Sequence, residues 1–147
     1  MQSVAPGCAR QVCYLGRKLT TPLTKEKHLL RCKQPVLVSS FNVNTLNSEV
    51  KMGEITSCAE NEGIDVLCIK EHRIFHESIN IRHHKMGRGW MLLTSSAEKG
   101  SNNATIRGVG ILLSPKSYQV LNKIESINAG TIIASFNENP LTIVILC

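Results

Sequence analysis

A short apolar run near the middle of the chain limits the fold more than any other feature. Val66 to Ile69 are four consecutive apolar residues, introduced by Gly63, which is typical of a strand buried on both faces of a sheet. The run stops at four polar or ionisable residues, Lys70, Glu71, His72 and Arg73. In α/β folds ligands bind at the carboxyl ends of buried strands, so Glu71 is a candidate metal ligand or acid–base group. The alternative is a solvated strand end without chemistry.

The residues before this run predict a strand, a helix and a second strand parallel to the first. Pro35 to Asn42 favours a strand, and Asn47 is placed to cap the start of a helix. That helix would present an apolar face at Met52, Ile55 and Ala59. Gly63 would end it. A strand–helix–strand unit of this length is typical of a parallel crossover, so Asn42 and Glu71 should emerge at the same end of the sheet.

Composition places the chain among globular proteins. Its 147 residues suffice for one domain with a core, and 42% of them are hydrophobic against 19% charged. No apolar run approaches the roughly 20 residues that span a bilayer, and the N-terminus lacks the apolar segment of a secretory signal. These features predict a soluble intracellular protein with no membrane partner.

The net charge of +6 lies entirely in the first 34 residues. Residues 1–34 contain seven Lys or Arg and one acid, whereas residues 35–147 contain ten of each sign. We therefore divide the chain into a basic, poorly ordered leader (1–34) and a folded domain (35–147). A basic arm suits nucleic acid through sequence-independent attraction. A plain disordered leader or a weak transit-type segment are the alternatives.

Six cysteines are present, and we expect them to be reduced because no secretory signal is seen. Cys58 and Cys68 sit in apolar patterns and are predicted to be core residues. Four ligand-type residues in the leader offer a weak alternative, a zinc set with poor spacing: Cys8, Cys13, His28 and Cys32.

The second half of the chain alternates between strands and loops. Residues 72–88 contain four histidines (His72, His76, His83 and His84) and are predicted to be a solvated loop. Strands are predicted at 90–94, 108–113, 120–127, 131–136 and 141–147. Residues 95–105 are predicted to be a loop and residues 114–115 a turn. The Gly-x-Gly at Gly108 lacks the rest of a phosphate-loop fingerprint, so its glycines are expected to permit close backbone approach.

Five segments together resemble the endonuclease/exonuclease/phosphatase superfamily, and in particular the endonuclease domain of non-LTR (LINE-type) retrotransposons. They occur in the family's order across residues 36–147: Phe41–Leu46, Gly63–Arg73, Gly87–Ser96, Arg107–Pro115 and Leu141–Cys147. The resemblance implies an α/β fold, a four-layer α/β/β/α sandwich of which this chain would be the incomplete N-terminal half.

The resemblance also implies an activity, the cleavage of DNA phosphodiesters with Mg²⁺ or Mn²⁺ and no small-molecule cofactor. By position, Glu71 would be the metal-binding catalytic carboxylate, and Asn42 would support the metal and the scissile phosphate. His72 and Arg73 would touch the nucleic-acid backbone. A retrotransposon endonuclease of this kind would work in the nucleus.

Two departures from the family limit this interpretation. Lys70 stands where the family has glutamine before its metal-binding glutamate, and its charge could repel metal or contact phosphate. The family's active-site tyrosine and its Asp-x-Asn and Ser-Asp-His motifs would fall beyond Cys147. The predicted strand that ends at Cys147 is uncharged, and the domain looks cut there. Since these motifs supply the general base, the isolated chain is predicted to be inactive or nearly so.

Three other functions stay open at the level of sequence. The chain could belong to a phosphatase of the same superfamily that acts on a small phosphorylated molecule. It could be a non-catalytic nucleic-acid-binding fragment that uses residues 1–34. It could also be a remnant of a mobile element without function.

Overall fold

A computed structural model describes residues 9–13, 36–78, 81–136 and 141–146. The strands of the main sheet are β1 (Ala9–Cys13), β2 (Val36–Asn42), β3 (Val66–Lys70), β4 (Arg82–Lys85), β5 (Met91–Thr94) and β8 (Val109–Leu113). The other strands are β6 (Glu98–Lys99), β7 (Thr105–Ile106), β9 (Leu121–Asn128), β10 (Thr131–Phe136) and β11 (Leu141–Leu146). The helices are α1 (Glu49–Asn61), a 3₁₀ turn at Gly87–Gly89 and α2 (Pro115–Gln119).

The main sheet has six strands in the order β1-β2-β3-β8-β5-β4. Strands β2 and β3 run parallel, with Asn42 in register with Lys70, and α1 makes the crossover between them. Every other neighbouring pair in this sheet is antiparallel. The predicted strand–helix–strand unit is therefore confirmed, and the carboxyl ends of β2 and β3 meet at one edge.

Strand β3 is buried on both faces, as its four apolar residues predict. Leu67 and Ile69 pack in a cluster with Ala59 of α1. Val66 and Cys68 pack on the opposite face, in a cluster that includes Ile132 and other residues of the three-stranded sheet β9-β10-β11. Each fully buried aliphatic side chain of this kind contributes about 1.5–3 kcal/mol to stability. The described residues thus form three layers, helix, sheet and sheet.

The three layers agree with a mixed α/β fold and account for part of the predicted four-layer α/β/β/α sandwich. A second outer layer of helices is not seen in residues 36–78 and 81–136, where the remaining helical segments are the 3₁₀ turn and α2. The four-layer arrangement stays a prediction.

The helix begins one residue later than predicted. Ser48, not Asn47, is the N-cap, and its hydroxyl oxygen accepts a hydrogen bond from the backbone N–H of Lys51 at 3.3 Å. Both residue types cap helices well, so local preference does not choose between them. Gly63 follows the helix with a φ of 66°, the left-handed conformation expected of a glycine at this position.

Several local predictions are wrong. The expected loop at 72–88 contains β4, whose residues Arg-His-His-Lys form an edge strand through their ladder with β5. The expected loop at 95–105 contains the small hairpin of β6 and β7. The expected turn at Ser114–Pro115 starts α2, because the hydroxyl of Ser114 caps it and proline occupies the first helical position.

Cys68 is buried as predicted, but the prediction for Cys58 is wrong because its side chain is exposed. The buried residues of α1 are Thr56 and Ala59. Cys58 is adjacent to Ala59 in sequence, about 100° away around the helix, and so turns toward solvent.

Part of the predicted leader belongs to the main sheet. Ala9–Cys13 forms β1 and pairs with β2 along its whole length. The rest of residues 1–34 lies outside the described residues. The four residues of the zinc alternative (Cys8, Cys13, His28 and Cys32) fall outside the described side chains. No helix among the described residues is long and apolar enough to cross a membrane.

Candidate functional site

The segments that follow β2 and β3 are joined side by side by backbone hydrogen bonds. Val43 N–H donates to the carbonyl of Lys70 at 3.1 Å, and Thr45 N–H donates to the carbonyl of Glu71 at 2.8 Å. These bonds continue the parallel ladder beyond its last residues. The structure therefore brings the backbones of Asn42 and Glu71 to one rim of the sheet, where the sequence placed them.

Glu71 occupies a turn that offers its carboxylate to solvent. Its side chain is 46% exposed, and its nearest cation is the guanidinium of Arg73, with 3.8 Å between Nη2 and Oε2. The backbone φ of Glu71 is 55°, in the left-handed region that few non-glycine residues adopt. At this distance and exposure the ion pair contributes little to stability, so the carboxylate is available to a ligand.

Asn42 is exposed at the last position of β2. Its side-chain oxygen accepts a hydrogen bond from Asn44 N–H at 3.1 Å, which fixes the amide against the turn that follows. An amide oxygen has two lone pairs, so one of them stays open to a second partner.

Unusual backbone conformations are concentrated at this rim. Of the seven non-glycine residues with positive φ in the part of the chain that the structure describes, five lie here: Asn44, Thr45, Glu71, Arg73 and Arg107. Thr45 has a φ of 93°, which is costly for a β-branched side chain. Such conformations cost about 1–3 kcal/mol each and are concentrated at active sites and ligand clamps. The rim is therefore the strongest candidate for a functional site among the described residues.

His72 was predicted to lie in a solvated loop and to touch nucleic acid, and both predictions are wrong because its side chain is fully buried. Ile74 N–H donates to Nδ1 at 2.9 Å, so the proton must sit on Nε2, which donates to the carbonyl of Val109 at 3.1 Å. Burial lowers the pKa of His72 to about 4, although the bond to Val109 opposes this change. His72 is a neutral structural residue.

Gly108 leaves the space that the His72 ring fills, and Gly110 lets the backbone of β5 approach closely. A Cβ at Gly108 would lie 2.5 Å from Cε1 of His72, and one at Gly110 would lie 2.9 Å from the carbonyl oxygen of Leu93. Gly108 also has a φ of 94°. The expectation that these glycines permit close approach is confirmed.

Two more histidines are folded in beside His72. His76 is buried, its Nδ1–H donates to the carbonyl of Ser78 at 2.8 Å, and its Nε2 has no partner among the described residues. His84 Nε2 is 3.0 Å from the hydroxyl of Thr94. Burial, followed by the charge of Arg82, lowers the pKa of His84. Because His76 is buried, the prediction of a solvated loop is wrong for this residue as well.

Lys70 lies directly beside Asn42 in the parallel ladder. Its side chain is half-buried and forms no ion pair with a described residue. The positive charge of Lys70 would repel a metal ion at the rim and would attract a phosphate group there. The structure thus keeps open both roles that the sequence suggests, repulsion of a metal and contact with phosphate.

The donors at the rim suit Mg²⁺ and not a softer metal. Mg²⁺ binds proteins through one or two carboxylates and otherwise keeps water and phosphate oxygens. Glu71 offers an exposed carboxylate and Asn42 an amide oxygen, whereas both nitrogens of His72 are occupied. Within residues 36–78 and 81–136 no three His, Cys, Asp or Glu side chains are close enough together to hold a metal. A hard divalent ion at this rim would therefore have Glu71 as its one carboxylate ligand among these residues, with water filling the other positions.

The hairpin of β6 and β7 packs a basic group against an aromatic residue of the segment that follows β3, an arrangement that sequence patterns did not single out. Lys99 Nζ lies 4.6 Å from the ring centre of Phe75, a cation–π contact. Arg107 pairs with Glu98 at 3.3 Å, and Arg107 also accepts a backbone bond from Arg73 N–H. These contacts join residues more than eight positions apart, so no local signal announces them.

Comparisons with known proteins give little beyond the chain's own features. No protein-family model matches the chain, and no curated protein matches it. Among solved structures the chain is similar to a 3′ phosphatase from Neisseria, NExo, bound to a product DNA hairpin. The two are 19% identical with a TM-score of 0.46, over 73% of this chain and 40% of that one. The chain therefore spans less than half of that protein.

Proposed function

We propose that this chain supplies the metal-binding side of a Mg²⁺-dependent phosphodiester hydrolase of the retrotransposon endonuclease type, acting on DNA. The observation that carries the proposal is the exposed carboxylate of Glu71, held in a left-handed turn beside Asn42 at the carboxyl ends of two parallel strands. The family resemblance of residues 36–147 supports it.

The residues at the rim have distinct parts in this proposal. Glu71 would hold the ion, and the free lone pair of Asn42 would orient a ligand next to it. A bound Mg²⁺ would polarise the phosphoryl group and stabilise the leaving oxygen. Arg73, 40% exposed, is available to a phosphate oxygen once the carboxylate is engaged.

Water activation is the part that the described rim does not provide. His72 follows Glu71 directly, but it is buried, and both of its ring nitrogens are hydrogen-bonded. It is therefore unable to accept a proton from water. We accordingly propose that the 147-residue chain by itself binds the ion and hydrolyses DNA at most slowly, since a missing general base costs about 10²–10⁴ in rate.

Glu71→Gln is expected to weaken divalent-metal binding at the rim by at least about tenfold, because even removing an outer partner of a metal ligand costs about 10–100-fold. The probe is Mn²⁺, whose paramagnetism broadens the amide NMR signals of nearby residues. In the unmodified chain, broadening should centre on residues 42–45 and 70–73 and disappear in the variant.

Glu98→Gln is the matched control for this experiment. Glu98 is 45% exposed and paired with Arg107, much as Glu71 is 46% exposed and paired with Arg73. It should leave the broadening at the rim intact. Equal broadening in the unmodified chain and in Glu71→Gln would refute the proposed metal site. Rapid, Glu71-dependent nicking of a supercoiled plasmid by the 147-residue chain would refute the proposed lack of activity.

Lys70→Gln is expected to strengthen Mn²⁺ binding about three- to tenfold at low salt, because it removes a positive charge in register with Asn42. The gain should shrink as salt screens the repulsion. The same Mn²⁺ titration at two ionic strengths measures it. Unchanged affinity at low salt would mean that the ammonium group does not act on this rim.

A second candidate function, nucleic-acid binding by the basic arm, is favoured by the placement of all the net charge in residues 1–34. Six cations lie outside β1 and are suitable for replacement by glutamine: Arg17, Lys18, Lys25, Lys27, Arg31 and Lys33. Replacing them should remove most DNA affinity and reduce the slope of log K against log salt by up to about five, at roughly 0.9 per phosphate contact.

Fluorescence anisotropy with a labelled duplex, repeated over several salt concentrations, measures this change. Glu71→Gln is the control and should bind DNA like the unmodified chain. If the glutamine-substituted arm binds with the original affinity and salt slope, the arm is not the binding element.

A further inference from the structure

His72 lies between two strained residues at the rim. Glu71 and Arg73, its neighbours on either side, both have a φ of 55°. Neither of those side chains is packed in the core, and the Glu71–Arg73 ion pair is exposed and long at 3.8 Å. Conformations of this kind persist only when surrounding contacts over-determine them. The side chain between them, fully buried, is the group that can do so.

The ring of His72 ties this turn to two other places in the chain. Nε2–H donates to the carbonyl of Val109 at the start of β8, and Nδ1 accepts from the backbone of Ile74 just downstream. The first bond anchors the turn to the neighbouring strand, and the second sets the path of the chain after Arg73. Together they fix the ring in one tautomer and one orientation.

The backbone of His72 adds two more attachments. Its N–H donates to the carbonyl of Gly108 at 3.2 Å, and its carbonyl accepts from Leu46 N–H at 2.9 Å. One residue therefore joins the turn to β8 on one side and to the segment that follows Asn42 on the other. The left-handed Gly108, with no Cβ, is what allows the ring to lie between them.

We propose that His72 is a positioning residue for Glu71: it holds the left-handed turn that directs the Glu71 carboxylate to the rim. The role as a metal-site residue rests on the function proposed above. The bracing of the turn does not, since it follows from the hydrogen bonds and the burial alone. When the turn is already ordered, metal binding loses no conformational entropy in ordering it. Loosening the turn therefore lowers the affinity of the carboxylate for the metal.

Two substitutions separate the packing of the ring from its hydrogen bonds. His72→Leu fills similar space but removes both ring bonds and leaves Ile74 N–H without its acceptor. His72→Asn places an oxygen where Nδ1 was and can again accept from Ile74 N–H, so it is the conservative rescue. His76→Leu is the matched control, because His76 is a buried histidine of the same segment whose ring bonds to Ser78 and whose bonds to Ser96 are made by its backbone.

Two readouts are needed, one of which requires no metal. The first is amide hydrogen exchange at His72 and Arg73, which donate to Gly108 and Arg107, with the amides of β3 as the measure of global folding. The second is Mn²⁺ affinity from paramagnetic broadening at residues 70–73. His72→Leu should speed exchange in the turn while β3 stays protected, and should weaken Mn²⁺ binding about 10–100-fold. His72→Asn should restore most of both, and His76→Leu should change neither.

The possible outcomes distinguish this inference from the proposed function. If the unmodified chain binds Mn²⁺ at Glu71 and His72→Leu binds it equally well, the positioning role is overturned and the proposed function stands. If the unmodified chain binds no Mn²⁺ at Glu71, the proposed function falls, and exchange in the turn alone decides whether His72 holds it. Unchanged exchange at Arg73 in a folded His72→Leu overturns the inference in either case. Should His72→Leu not fold, His72→Ala takes its place, because it also removes both ring bonds: faster exchange at Arg73 than in His72→Asn supports the positioning role, and equal exchange overturns it.

Discussion

Replacing Gly108 with alanine is expected to lower the free energy of unfolding by about 2–6 kcal/mol. The φ of 94° at this position is strained for any residue with a Cβ, at a cost of about 1–3 kcal/mol. The new methyl group would also lie 2.5 Å from Cε1 of His72, and that ring cannot swing aside without losing its bonds to Val109 and Ile74. Overpacking of this kind costs about 1–3 kcal/mol more. Against a total stability of about 5–15 kcal/mol, the loss is severe.

Urea unfolding followed by circular dichroism measures this loss, and Gly87→Ala is the matched control. A methyl group at Gly87 would meet no heavy atom within 4 Å, and this residue has no positive φ, so its substitution should change stability by no more than about 0.5 kcal/mol. His72→Ala combined with Gly108→Ala should lose less than the sum of the two single variants, because the clash disappears with the ring. Simple additivity, or a Gly108→Ala chain as stable as the original, would show that the two residues do not meet.

The main features of the fold could be predicted because they depend on the pattern of residues within short segments. Four apolar residues between Gly63 and Lys70 predict a doubly buried strand, and the structure buries them between a helix and a second sheet. A capping residue and an apolar helical face predict α1, and the length of the crossover predicts that β2 and β3 are parallel. Together these features place Asn42 and Glu71 at one rim.

Other features depend on distant residues and leave no local trace. His72 is 36 positions before Gly108. Its ring can be buried only because residue 108, directly before β8, has no side chain. From the local sequence alone, a histidine between a glutamate and an arginine is expected to be exposed to solvent. Strand β4 carries no apolar alternation, and only its ladder with β5 makes it a strand. The left-handed conformations of Glu71 and Arg73 likewise belong to residue types that seldom adopt them, so they follow from the surroundings and not from the residues.

The stability of the chain is expected to fall by about 3 kcal/mol as the pH is lowered from 7 to 4, through His72 alone. In the folded chain burial holds the pKa of His72 at about 4, whereas in the unfolded chain it titrates near 6.5. Between these values the unfolded state binds a proton that the folded state does not, so stability declines as the pH falls. The stabilisation that comes from keeping His72 neutral is fully present above about pH 6.5, and its loss levels off below about pH 4. The gap between the two pKa values sets the size of the effect, at about 1.4 kcal/mol for each pH unit.

Other groups titrate in the same range, so the contribution of His72 has to be taken as a difference between variants. Carboxylates protonate below about pH 5, and burial lowers the pKa of His84 as well. Urea unfolding at intervals from pH 7 to pH 4 should therefore be compared between the unmodified chain and His72→Asn, which keeps the acceptor for Ile74 N–H but cannot titrate. The unmodified chain should be the more stable at pH 7, and its advantage should shrink by about 3 kcal/mol by pH 4, with the steepest change between pH 4 and 6.5. Parallel curves would mean that the imidazole reaches water in the folded chain, and that the turn carrying Glu71 is not closed over it.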